Sequence, residues 1–144
     1  MIPDLIPTGL LPNGIHWADL VEIRAKYCWN AHRERLLGGF ERAVVALHGA
    51  GCRLVYLNGS FVTTKDYPDD YDACWEVSGV APGLLDPVFL DFRNRRAAQK
   101  AKYLGEFFPA TAKAEANSPF RTFLNFFQVD KQSGSEKGII GIKL

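Results

Sequence analysis

The sequence is poor in cysteine and carries almost no net charge. Its 144 residues include three cysteines, Cys28, Cys52 and Cys74, without any Cys-x-x-Cys spacing. This odd, scattered set indicates neither a disulfide framework nor a zinc site, and it is typical of a protein in a reduced cytoplasm. Because 17 basic and 16 acidic residues leave a net charge of +1, the overall charge does not predict DNA or an anionic membrane as a partner.

Long hydrophobic runs are also absent. No apolar stretch is long enough to span a bilayer, and prolines at positions 3, 7 and 12 would interrupt a signal helix. We therefore predict a cytoplasmic protein without a membrane segment. The same prolines predict that residues 1–13 form an extended arm across the surface instead of a helix.

The sequence is rich enough in apolar residues to build the core of one domain, since 47% of the residues are hydrophobic and 12% are aromatic. Apolar periodicity predicts three helices, at residues 17–26, 31–50 (with Asn30 as the cap) and 92–102. Strands are predicted at 53–58, 70–75, 103–108, 122–129 and 138–144, the last two joined as a hairpin, with a loop at 109–119. This order predicts a single α/β (α+β) domain, a mixed sheet packed against helices.

One segment suggests chemistry. A predicted strand ends at Gly59-Ser60, and nine intervening residues separate this pair from Asp70-Tyr71-Asp72. A glycine turn can direct backbone N–H groups, and the Ser60 hydroxyl, at an anion such as a triphosphate. Asp70 and Asp72 should point to one face of their strand, where a bound cation would offset their repulsion. Hard oxygen ligands of this kind favour magnesium or manganese over zinc. The alternative is an ordinary turn followed by a solvated acidic loop.

These four residues, Gly59, Ser60, Asp70 and Asp72, resemble the motif of the nucleotidyltransferase superfamily, which has the DNA polymerase beta-like fold. A wider likeness, to a small bacterial family of stand-alone proteins within that superfamily, covers nearly the whole chain and supplies no substrate. It includes residues 56–65 and 70–75, and also Ile2-Pro3-Asp4-Leu5, Gly14-Ile15-His16-Trp17, Lys100-Ala101-Lys102-Tyr103 and Lys137-Gly138-Ile139-Ile140.

The resemblance implies a third carboxylate from a later strand, and Glu106 is the first candidate. Asp91 is the rival, and either residue could instead cap a helix or pair with a nearby arginine. Mg²⁺ or Mn²⁺ held by Asp70, Asp72 and Glu106 would then act on a nucleoside triphosphate, with ATP as the first expectation. The outer phosphates would rest on Gly59 and Ser60, with Lys65 within reach.

The implied reaction moves a nucleoside monophosphate to a hydroxyl of a protein or a tRNA, in a toxin–antitoxin or phage-defence system. An alternative is an inactive member of the same fold that acts as a binding module and partner subunit. The basic cluster at 93–102 suggests contact with phosphate or RNA, or else a solvated helix face. It supports a third alternative, a ribonuclease-like or RNA-binding protein.

Overall fold

The chain is organised around a five-stranded mixed sheet, seen in a computed structural model that describes residues 1–112, 114, 122–130 and 132–144. Its strands are β1 (Ile15–Trp17), β2 (Leu54–Asn58), β3 (Tyr71–Trp75), β4 (Gly105–Pro109) and β5 (Ile139–Lys143). The helices are α1 (Leu20–Tyr27), α2 (Ala31–Gly49), α3 (Arg93–Tyr103) and α4 (Phe123–Phe126). Single 3₁₀ turns cover Ser60–Val62, Pro82–Leu84 and Pro87–Leu90.

The strand order is β1-β5-β2-β3-β4, with two parallel pairs, β1 with β5 and β3 with β4. The pairs of β2 with β3 and with β5 are antiparallel. This mixed sheet and its helices confirm the predicted α+β class. The predicted loop at 109–119 lies mostly outside the described residues.

Of the predicted hairpin, the described residues contain a single antiparallel bridge between Val129 and Glu136, and the strand at 138–144 is present as β5, but the predicted strand at 122–129 is wrong. The Thr122 hydroxyl accepts the Asn125 N–H and caps α4, so this segment begins as a helix. Strand β5 instead lies between β1 and β2. The reason is its burial on both faces, with Ile139, Ile140 and Ile142 at most 3% exposed, which favours an interior position in the sheet.

Helix α2 confirms the prediction best. It begins after Asn30, whose side chain accepts the Arg33 N–H. The first predicted helix is displaced, since Ile15–Trp17 is a strand and α1 begins only after its cap, Asp19. None of the helices in the described part of the chain has the length and apolar character needed to span a bilayer.

The sheet has two different faces. Helices α1, α2 and α3 pack on one face, where Tyr71, Ala73 and Phe107 join the main core. The other face carries a smaller cluster that includes Cys74, Phe108 and Phe127. Because neighbouring side chains on a strand alternate between faces, residues Asp72 and Glu106 lie on this second face.

Residues 1–14 contain no helix or strand. The Ile6 N–H donates to the Leu10 carbonyl at 2.8 Å and closes a turn. Ile2 and Leu11 are 4% and 2% exposed, so the predicted N-terminal arm is held against the main core by two apolar side chains.

Candidate functional site

Two carboxylates lie side by side on adjacent parallel strands. Asp72 of β3 is the register partner of Glu106 of β4, so both side chains project from the same face. Their carboxyl groups are within hydrogen-bonding reach of each other. Two carboxylates so close repel each other, so a proton or nearby positive charge stabilises the pair.

The structure places Glu106, and not its rival, beside Asp72. Asp91 precedes α3 and forms an ion pair with Arg93, with Oδ2 2.8 Å from Nη2. The hydrogen bonds with Arg93 lower the pKa of Asp91 to about 2. The arginine pairing that the sequence left open for either acid occurs at both, with Arg93 at Asp91 and Arg96 at Glu106.

Asp70 lies just before β3, two residues from Asp72. Burial raises the pKa of Asp70, and the charge of Glu106 raises it further, whereas Lys100 opposes the shift. Asp70 lines a cleft of about 300 Å³ together with Asp69, Arg35 and Lys100. Asp70 is therefore coupled electrostatically to Glu106.

Gly59 brings the bend after β2 against Asp72. Its φ of 86° lies in the left-handed region, where a side chain is strained. A Cβ atom at Gly59 would lie 2.8 Å from Asp72 Oδ2. The 3₁₀ turn Ser60–Val62 follows, so the predicted glycine-serine bend and one predicted acid are in direct proximity.

The linker between the bend and β3 is held by Arg33, a residue that sequence analysis missed. Its side chain is fully buried and donates to the carbonyls of Tyr27, Phe61, Thr63 and Lys65.

Trp29 and Asn30 also form hydrogen bonds with Asp66 of this linker, and His32 contacts the Pro68 carbonyl. One sequence signal could have identified Arg33: it lies at helical spacing from Leu36, Leu37 and Phe40, on the apolar face of α2. Lys65, the predicted phosphate contact, lies on the same linker, and its side chain is exposed.

Asn58 is a second residue that sequence analysis missed. It is the register partner of Asp72 on the other side, and it is 3% exposed. Its Nδ2 donates to the Phe127 carbonyl at 3.1 Å, whereas Oδ1 has no hydrogen-bond partner among the described residues. Such buried acceptors are uncommon. Asn58, Asp72 and Glu106 thus form a row of oxygen-bearing side chains across three strands.

Two cations from α3 contact the third member of this row. Arg96 Nη2 lies 3.0 Å and Lys100 Nζ 3.1 Å from Glu106 Oε1. Burial favours a raised pKa for Glu106, but the hydrogen bond with Asp72 and the charges of Lys100 and Arg96 outweigh it and lower that pKa. The predicted basic cluster is therefore divided, because Arg93 pairs with Asp91 instead.

The site matches a divalent cation in the type of its donors but not in their arrangement. Carboxylate oxygens are the ligands that Mg²⁺ and Mn²⁺ prefer. Within the described residues, however, no group of three His, Cys, Asp or Glu side chains is arranged to hold a metal ion. Asp72 and Glu106 supply two carboxylates, and Arg96 and Lys100 contact an oxygen of Glu106.

The mixed sheet and this row of acids define an α+β domain with a carboxylate site on one sheet face. The chain belongs to a family of unknown function, DUF6932, whose model matches residues 3–143. No curated protein and no solved structure matches the chain.

Proposed function

We propose that this protein is a metal-dependent nucleotidyltransferase of the DNA polymerase beta-like fold. The observation that carries the proposal is the register of Asp72 with Glu106, beside the bend at Gly59. A bend that can take phosphates, adjacent to paired carboxylates, is the arrangement that phosphoryl transfer requires.

The acidic residues would hold the cation, and the bend would hold the nucleotide. Mg²⁺ or Mn²⁺ bound by Asp70, Asp72 and Glu106 would neutralise charge on the phosphates and lower the pKa of the acceptor hydroxyl. The backbone at Gly59 and the hydroxyl of Ser60 would orient the outer phosphates of ATP or another nucleoside triphosphate. The exposed side chain of Lys65 extends from the same linker and would add a positive charge.

In the proposed reaction the acceptor oxygen attacks the α-phosphorus. A new oxygen–phosphorus bond forms, the bond to pyrophosphate breaks, and the acceptor proton must be removed. Because the three acids hold the cation in this scheme, the acceptor proton passes to water. The product is a nucleotidylated acceptor.

The acceptor proposed here is a protein or a tRNA hydroxyl in the cytoplasm, within a toxin–antitoxin or phage-defence system. This part of the proposal is supported only by resemblance to small stand-alone nucleotidyltransferases, since fold likeness does not define a substrate.

A labelling experiment tests the transfer reaction. The pure protein is incubated with each α-labelled nucleoside triphosphate, magnesium and a cell lysate, and labelled macromolecules are then separated. We expect a labelled protein or tRNA with the wild type and none with Asp72→Asn, whose folding is checked by thermal melting. If no triphosphate gives label, and magnesium produces no nucleotide binding, the enzyme proposal is rejected.

A second candidate function is the inactive binding module of the same fold. The contacts of Arg96 and Lys100 with Glu106 favour it, because these cations neutralise a carboxylate that catalysis would need. A binding module would bind nucleotide equally well with and without magnesium, and Asp72→Asn would leave that binding unchanged. Calorimetry with ATP distinguishes the two candidates.

A further inference from the structure

Three consecutive residues near the start of α3 have a left-handed backbone. Asn94, Arg95 and Arg96 have φ values of 51°, 55° and 62° and ψ values of 49°, 41° and 37°. Left-handed residues that carry a side chain normally occur singly, because the Cβ atom crowds the following carbonyl oxygen. Strained segments persist only where surrounding contacts stabilise them, and they concentrate at binding sites and switch regions.

The local sequence favours a right-handed turn at the same place. Asp91 has an extended backbone, with φ −93° and ψ 99°, and its Oδ1 accepts the Arg93 N–H at 3.2 Å. A capping residue binds the second residue of a right-handed helix in this way, so Asp91 is placed to cap a helix that starts at Phe92. Arginine and alanine, which fill most of positions 93–98, are also good helix formers. A continuous right-handed helix over 92–103 is therefore the locally preferred alternative.

Contacts of Arg96 stabilise the left-handed turn. Its Nε and Nη2 lie 3.1 and 3.0 Å from Glu106 Oε1 in a partly buried ion pair. Its guanidinium carbon lies 5.1 Å from the centre of the Phe108 ring, on which Phe92 also stacks with a centroid distance of 6.2 Å. Charge-assisted hydrogen bonds of this kind are among the stronger ones. Because a right-handed turn would be preferred if it made the same contacts, these contacts depend on the left-handed path.

The Arg96 contact is what the left-handed turn adds to the candidate site. Lys100 lies in the right-handed part of α3, and its Nζ is 3.1 Å from the same Glu106 oxygen. That contact does not require the turn. Asn94 and Arg95 are exposed, so the strain in their backbone does not bury their own side chains. The turn as a whole holds one arginine on one carboxylate.

We propose that residues 94–96 form a two-state latch on Glu106. In the closed state, which the structure shows, the left-handed turn holds Arg96 against Glu106 and the Phe108 ring. In the open state the turn is right-handed, α3 is continuous from the Asp91 cap, and Arg96 leaves Glu106. The gating role rests on the proposed function, because the open state exposes the Asp72–Glu106 pair to a substrate. The two conformations of the turn do not depend on that function.

Glycine substitutions distinguish the two hands of the turn, since glycine adopts a left-handed backbone without strain but weakens a right-handed helix. Arg95→Gly should raise the melting temperature by about 2–5 °C. Ala97→Gly is the matched control, because Ala97 is exposed in the right-handed part of α3, and it should lower the melting temperature by a similar amount. The proposal is overturned if Arg95→Gly does not raise the melting temperature.

A second background tests whether Arg96 holds the turn. In Arg96→Ala the closed state loses its contacts, so we expect the turn to become right-handed. Adding Arg95→Gly to this variant should then lower the melting temperature, as Ala97→Gly does in the wild type. Three-bond HN–Hα couplings, which depend on φ, should change across residues 94–96 in Arg96→Ala. If Arg95→Gly still raises the melting temperature in this background, another contact holds the turn and the latch is overturned.

Nucleotide transfer tests the gating role separately. Arg95→Gly favours the closed state and should transfer label several-fold more slowly than the wild type, whereas Arg95→Ile, with a β-branched residue that avoids a left-handed backbone, should transfer it faster. If no variant transfers nucleotide but the effect of Arg95→Gly changes sign between the two backgrounds, the latch stands and the enzyme proposal is rejected. Transfer by Arg95→Gly at the wild-type rate would overturn the gating role and leave the enzyme standing.

Discussion

Asp72 on β3 and Glu106 on β4 occupy the same register position of a parallel strand pair. Because adjacent parallel strands lie about 4.8 Å apart, this relationship places two carboxylates in contact that are 34 residues apart in the sequence. The candidate site therefore contains a residue of the local Asp-x-Asp motif, Asp72, and a second acid, Glu106, from the adjacent strand.

The identity of the third acid can be tested by comparing two isosteric substitutions. Glu106→Gln should lower nucleotide transfer about 100-fold, since it removes a charge adjacent to the reacting phosphates. Asp91→Asn should leave transfer near the wild-type rate, because Asp91 belongs to neither strand of the β3–β4 pair that carries Asp72 and Glu106. Rates of label incorporation measure both. The reverse order of effects would identify Asp91 as the functional acid.

Gly59→Ala should damage both stability and the site. The added methyl group would face strain at a φ of 86° and would lie 2.8 Å from Asp72 Oδ2. We expect the free energy of unfolding to fall by about 1–2 kcal/mol and magnesium-dependent nucleotide binding to weaken. Urea unfolding and calorimetry are the measurements. Gly83→Ala, where the added atom meets nothing within 4 Å, is the control and should change stability by less than about 0.5 kcal/mol.

Arg33→Lys should loosen the linker between Gly59 and Asp70. Lysine keeps the charge but cannot reproduce a guanidinium fork that reaches four carbonyls. Buried carbonyls left without donors should cost about 2–4 kcal/mol of unfolding free energy, and amide exchange should accelerate across residues 60–69. Arg42→Lys, at an exposed hydrogen bond to Lys102, should change neither quantity. Unchanged exchange in Arg33→Lys would contradict this role.

The neighbouring glycines of α2 should respond to alanine in opposite directions. At Gly39 an added Cβ would lie 2.2 Å from the Tyr103 carbonyl oxygen, whereas at Gly38 its nearest contact is 4.0 Å away. Gly38→Ala should stabilise the protein by about 0.5–1 kcal/mol through helix propensity. Gly39→Ala should destabilise it by about 1–3 kcal/mol, because α2 and α3 must separate. Equal effects in thermal melts would contradict the close approach of these helices.

Asp86 should make stability depend on pH. Burial opposes ionisation of Asp86, but hydrogen bonds from Lys102, Tyr103 and Val88 lower its pKa below the usual value. A pKa that is lower in the folded state stabilises the fold fully above the unfolded-state value, near 4, and this contribution disappears as pH falls through the folded-state value. Asp86→Asn should thus cost about 2 kcal/mol at pH 7.

The same difference should shrink as the pH approaches 3. Urea unfolding of the wild type and Asp86→Asn at pH 7, 5 and 3 measures it. A difference that stays constant over this range would mean that packing, and not the charge of Asp86, is responsible.

Several elements follow from short-range patterns. Helix α2 was predictable because Asn30 is a capping residue and the apolar residues after it recur at helical spacing. The bend at Gly59 was predictable because a glycine ends an apolar strand. The strand β3 followed from Asp70-Tyr71-Asp72 and the apolar residues after it, with Tyr71 buried as expected.

Other elements could not be read from such patterns. Strand β1 has only three residues, too few to show a period of two. The segment at 122–129 has aromatic and β-branched residues typical of strands, yet the cap at Thr122 begins a helix there. Arg33 was missed because all of its hydrogen-bond partners are backbone carbonyls, and all except the Tyr27 carbonyl lie about 30 residues away in the sequence.

Local spacing along the chain thus accounts for α1, α2 and α3, for strands β2 to β5 and for the succession of a bend and two aspartates. Strand order accounts for the rest. It put Glu106 instead of Asp91 beside Asp72, placed Asn58 on the opposite side of Asp72, and directed Arg96 and Lys100 at Glu106. These contacts depend on which distant strands share hydrogen bonds, and side-chain periodicity within one strand carries no information about its neighbours.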